Sequence, residues 1–202
     1  MARRRCRSQV KRAVPAPSAL EDLRFIRETM ERSASFTAVP GWGMVGMAAT
    51  AVGAAVLASR QTRFGPWMAV WLGEAVVALS VALWTMRVKA RRALVPLTSG
   101  PGRRFLLNFF PALLVGAVLT AALYRFGASA AIPGMWLMLY GTGVVSGGAF
   151  SVPIVPAMGT CFMVAGALAL LAPAAWADWF MLGGFGGIHL VFGVLIARKH
   201  GG

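Results

Sequence analysis

Three side chains in this sequence could do chemistry where chemistry is costly. Glu74 lies deep in residues 66–86, PWMAVWLGEAVVALSVALWTM, a run that is otherwise apolar. His189 and Tyr140 lie inside two later apolar runs. An ionised side chain at mid-membrane costs about 3 kcal/mol or more. Protonating a carboxyl of ordinary pKa about 4.3 at pH 7 costs about 3.7 kcal/mol. The two costs are comparable, so Glu74 must be either neutral or tightly paired. An imidazolium at His189 is the depth-matched ionic partner, and the Tyr140 hydroxyl is a neutral donor. Two readings follow. In one, Glu74, His189 and Tyr140 form a proton- or ligand-binding site of a small transporter, since intramembrane ionisable groups are functional candidates by default. In the other, Glu74 hydrogen-bonds across helices as polar glue and a backbone carbonyl satisfies His189.

Positioning these groups requires a membrane-spanning frame, and composition supplies it. The 202 residues are 58% hydrophobic and only 13% charged, with mean hydropathy +0.69. Soluble domains carry about 25% charged residues. Six apolar segments, at about 41–59, 66–86, 106–126, 132–150, 155–173 and 178–197, have the length of bilayer-crossing helices. The expected fold is therefore an all-α integral membrane protein with six transmembrane helices. At 1.5 Å per residue, Glu74, Tyr140 and His189 fall within about 5 Å of one another in depth, with Thr50 near the middle of the first span.

The net charge of +14 could suggest nucleic-acid binding, but that wants a basic patch on a soluble fold. Here the cations sit in tails and loops, so no direct nucleic-acid contact is expected. With the N-terminus inside, residues 1–39 carry nine Lys/Arg, residues 87–104 six, and residues 198–202 two; Arg60, Arg63 and Arg125 fall outside. Seventeen against three predicts cytoplasmic termini by the positive-inside rule. All seven tryptophans fall near a span boundary, where an interfacial belt is expected.

Residues 1–17, with Arg3, Arg4, Arg5, Arg7, Lys11 and Arg12, read as a basic flexible tail drawn to anionic headgroups. Residues 18–35 open with a capping box, Ser18 to Glu21, and place Leu20, Leu23, Ile26 and Met30 on one face. They read as an amphipathic helix lying on the membrane surface, too polar to span it. Residues 41–197 form the six-helix domain and 198–202 a short basic tail. Arg91, Arg92, Arg103 and Arg104 make the connection at 87–104 a second basic patch, irregular by its Pro/Gly content, for anionic lipid or a cytoplasmic protein partner.

Gly143 with Gly147, and Gly183 with Gly187, read as small-residue stripes for helix packing, within one bundle or between the copies of a homodimer. Asp178 is expected to cap the sixth helix. Asn108 could cap or bond across helices, and Cys161 and Met163 read as packing residues. Two cysteines at different depths give no disulfide framework, and two histidines without CxxC or HExxH give neither a metal centre nor any other cofactor site. Ser146 and Ser151 lie outside GxSxG, so no enzyme signature stands out.

The stretch LEDLRFIRETMERSASFTAVPGWG, residues 20–43, resembles the opening of a group of uncharacterised bacterial multi-pass proteins. The resemblance covers roughly the surface helix and first span. It implies a six-span protein of the bacterial inner membrane and no particular activity.

Overall fold

A computed structural model describes residues 21–26, 40–92, 100–149 and 151–200. The chain divides into two units, Met1–Ser33 and Ala34–Gly202. In the first, residues 21–26 are helical and exposed. The rest of the expected surface helix, with Ser18 of its capping box and the basic tail, lies outside the described residues.

The second unit is all-helical among its described residues. Its helices are α1 (Gly41–Ala58), α2 (Phe64–Arg92), α3 (Gly100–Arg125), α4 (Ile132–Gly148), α5 (Ile154–Leu171), α6 (Ala177–Met181) and α7 (His189–His200). A π-helical segment, Leu182–Ile188, joins α6 to α7. Among the described residues, five segments are long and apolar enough to cross a membrane: Gly41–Ala58, Phe64–Arg91, Gly102–Arg125, Ile154–Leu171 and Ala174–Lys199. The remaining expected span is α4, whose 17 residues rise about 25 Å against a hydrocarbon core of about 30 Å.

The helices reach further into the 87–104 connection than its Pro/Gly content suggests. α2 continues to Arg92, and α3 begins at Gly100 with Pro101 and Gly102 in its first turn. Proline is tolerated there because its missing N–H would have no intrahelical acceptor. At the other end of α3, Gly127 takes φ +74 and the Ala128 N–H returns to Leu123 O at 2.9 Å. That left-handed residue ends the helix at low steric cost.

Packing is closest where side chains vanish. α4 and α5 lie antiparallel with Gly134 opposite Gly166 and Gly141 opposite Gly159. A Cβ on Gly134 would stand 2.9 Å from Gly166 O, and one on Gly141 would stand 2.6 Å from Gly159 O. Each pair is reciprocal, and both helices space their glycines seven apart, the repeat that keeps one seam facing a neighbour. In lipid such close backbone approach, rather than hydrophobicity, holds helices together. α1, built from Gly and Ala, packs on α2, on α7 and on the π segment. At the α1–α7 crossing, a Cβ on Gly41 would meet the backbone of Ala197.

Candidate functional site

The apolar runs place Glu74 on α2, Tyr140 on α4 and His189 at the first residue of α7. The structure brings two of the three together. Tyr140 Oη lies 2.7 Å from His189 Nε2, and His189 Nδ1 lies 3.0 Å from Phe185 O. A carbonyl can only accept, so Nδ1 carries the hydrogen. In the neutral ring Nε2 is then the acceptor, and Tyr140 donates to it. The imidazole is 4% exposed and faces the rings of Phe162 at 5.1 Å and Phe185 at 6.1 Å. Tyr140 in turn packs edge-on against Phe109, Phe162 and Phe185. An aromatic shell around a neutral, doubly bonded imidazole suits a group that holds no charge.

The π segment is what sets His189 in place. Its sequence, LGGFGGI, has four glycines, so the wider turn meets few side chains of its own. The His189 backbone N–H donates to Gly186 O, while the side chain takes the Phe185 carbonyl. Such single-turn π segments occur often at functional sites.

Glu74 has a different partner. Thr50 Oγ1, on α1, lies 2.8 Å from Glu74 Oε1 and 3.0 Å from Met47 O. The hydroxyl has one hydrogen to place. If Thr50 donates to Glu74, the carboxyl accepts in either charge state. If Thr50 donates to Met47 O, then a protonated Glu74 donates to Thr50. Among the described residues no hydrogen bond or ion pair joins Glu74 to His189.

Three inward-facing tryptophans were expected at the membrane interface. Trp67 and Trp71 are only 7% and 3% exposed, and the half-buried Trp136 stacks on Trp67 at 6.0 Å. Trp42, Trp84, Trp176 and Trp179 do face outward. Trp67 Nε1 donates to Asp178 Oδ1 at 2.6 Å, and Trp136 Nε1 donates to Thr120 Oγ1 at 2.7 Å. Asp178 is thus the acceptor of an interhelical bond, and the residue at the cap of α6 is Trp176, with no side-chain cap. Neither Trp67 with Asp178 nor Trp136 with Thr120 stands out in the sequence. Their signal is a polar acceptor near a tryptophan of equal depth on another span.

Gly143 and Gly147 face Phe109 and Phe105 of α3; a Cβ on either would stand about 3 Å from the nearest atoms there. Gly183 and Gly187 look onto open space, while Gly184 and Gly186 turn inward toward Leu137 and Val52. Gly143 and Gly147 lie in regular α-helix, whereas the π turn alters the azimuth on which four-residue spacing relies. Asn108 Nδ2 donates to Arg104 O of its own helix at 2.8 Å, and Cys161 is exposed.

Of the cations, Arg91 on α2 and Arg103 and Arg104 on α3 are exposed. Arg92 ends α2. Arg3, Arg4, Arg5, Arg7, Lys11 and Arg12 lie outside the described residues. Gly43 lies against Thr85 and Gly41 against Ala197, and Phe64 stacks on Tyr124, so Arg87, Lys89, Arg91, Arg92, Arg103, Arg104, Arg198 and Lys199 lie toward one end of the helices, and Arg60, Arg63 and Arg125 toward the other. Among the described residues, no three His, Cys, Asp or Glu side chains come together as a metal site.

These features define a multi-pass, all-helical membrane protein with polar contacts built into its interior. No family model, curated protein or solved structure matches the chain.

Proposed function

We propose that the chain is a six-span protein of the bacterial inner membrane, with both termini in the cytoplasm. In this reading it is a binding or regulatory protein whose basic cytoplasmic face engages anionic lipid and a cytoplasmic partner. The gathering of eight Lys/Arg at one end of the helices carries it. Each such residue near an anionic surface contributes about 1 kcal/mol of attraction. The interior fits the same reading, because Glu74 and His189 both have local partners that hold helices together. α4 counts as the sixth span because it lies between α3 and α5 and packs along both.

The test is lipid retention. Native mass spectrometry of protein released from nanodiscs of mixed zwitterionic and anionic lipid should show retained anionic lipid. Arg87→Gln, Arg91→Gln and Arg103→Gln together should reduce it severalfold. Equal retention by the variant would remove the basic face from the function.

A second reading is a small, proton-coupled transporter using Glu74. It is favoured by a carboxyl at mid-span with a buried donor that has no acceptor among the described residues, Trp71 Nε1, one turn away on the same helix. Glu74→Gln should then preserve the fold and abolish flux in reconstituted vesicles, with unchanged flux counting against transport.

A further inference from the structure

Trp71 is nearly enclosed, at 3% exposed. Its ring centroid lies 6.2 Å from that of Trp67 and 6.1 Å from that of Phe185. Its indole N–H has no acceptor among the described residues. The other two inward tryptophans do: Trp67 has Asp178 and Trp136 has Thr120. In a hydrocarbon setting an unmet N–H is costly. A phenylalanine would fill most of the same space without that cost. An enclosed indole with no acceptor among the described residues calls for one beyond them.

The surroundings limit what that acceptor is. Trp71 is seven residues from Phe64, where α2 begins, which places it about 10 Å along the span. Lipid headgroups lie beyond that depth, and acyl chains offer no acceptor. An anion would be buried without a counter-charge and would stand near the Glu74 carboxyl. A small neutral molecule remains. Water needs two to four polar partners to stay in an interior. Glu74 is three residues on from Trp71, on the same face of α2, and the Thr50 bond uses only its Oε1.

We propose that Trp71 Nε1 and the Glu74 carboxyl together hold an internal water molecule where α2 meets α1 and the π segment. The site holds whichever account of the protein's function is right. Its consequence is chemical: a carboxyl touching water at mid-span can exchange its proton, whereas a sealed one cannot.

Tryptophan labelled with 15N, in full-length protein in lipid nanodiscs, tests this through the seven indole N–H correlations. Trp71→Phe assigns its signal; should that variant not fold, contacts to the Phe185 ring assign it instead. The expected result is a hydrogen-bonded Trp71 indole that receives magnetisation from water, while Trp67 and Trp136 do not. Glu74→Gln should keep that transfer and Glu74→Leu should lose it. A Trp71 signal typical of a free N–H, or one with no transfer from water in the wild type, would overturn the proposal. Transfer that survives in Glu74→Leu would overturn the role of Glu74.

Discussion

Tyr140 and His189 sit 49 positions apart in the chain and 2.7 Å apart in space, phenol oxygen to Nε2. Because Phe185 O holds the other ring nitrogen, the bond runs from Tyr140 to His189 and ties α4 to the start of α7. Tyr140→Phe removes the donor and leaves a buried acceptor unmet. Such a loss costs about 1–3 kcal/mol. Equilibrium unfolding in mixed micelles should register it as reduced stability. A variant as stable as the wild type would mean that the bond adds nothing to the fold.

Glu74 and Thr50 make the matching tie between α1 and α2. A double-mutant cycle with Glu74→Leu and Thr50→Val should give a favourable coupling of about 0.6–2 kcal/mol, the span measured for polar pairs between helices in membranes. Additive single effects would show that the 2.8 Å contact carries no energy.

Much of this frame was legible in the sequence because a membrane span is a one-dimensional signal. Five of the six expected segments reappear as helices long and apolar enough to cross, since length and hydropathy set them. Depth was legible for the same reason, and it correctly put Tyr140 level with His189. Azimuth was not. Nothing in a uniformly apolar run says which face of α2 turns inward, so nothing in it showed that Trp67 and Trp71 turn into the bundle rather than outward. The glycines show the same limit. Four-residue spacing pointed alike to Gly143 and Gly147, which face α3, and to Gly183 and Gly187, which face outward, the side open to a second copy. Seven-residue spacing, Gly134 to Gly141 and Gly159 to Gly166, was present in the sequence and marks the tightest seam.

That seam makes a graded prediction. Gly141→Ala and Gly166→Ala each place a methyl within 2.6 Å of a neighbouring helix's backbone, where a few tenths of an ångström of give is not enough. Forced overpacking costs about 1–3 kcal/mol. Both should lower the unfolding midpoint in detergent, whereas Gly183→Ala and Gly187→Ala meet nothing within 4 Å and should leave it unchanged. Equal effects at the four positions would contradict the pairing of α4 with α5.

The threading can be tested without knowing any activity. Cations at the ends of membrane helices resist transfer across the bilayer, so an uneven distribution fixes direction. Among the described residues of the helical unit, eight cluster at the end shared by Arg87, Arg103 and Arg198, against three at the end shared by Arg60 and Arg125. In a background with both native cysteines replaced by serine, Gln61→Cys should react in intact cells with a membrane-impermeant maleimide. Lys199→Cys should react only after the membrane is opened, because α7 ends on the opposite side from the α1–α2 turn. The reverse pattern would place the basic end outside and remove the physical basis for binding anionic lipid there. Labelling of both positions in intact cells would break the alternation of the helices and, with it, the count of six spans.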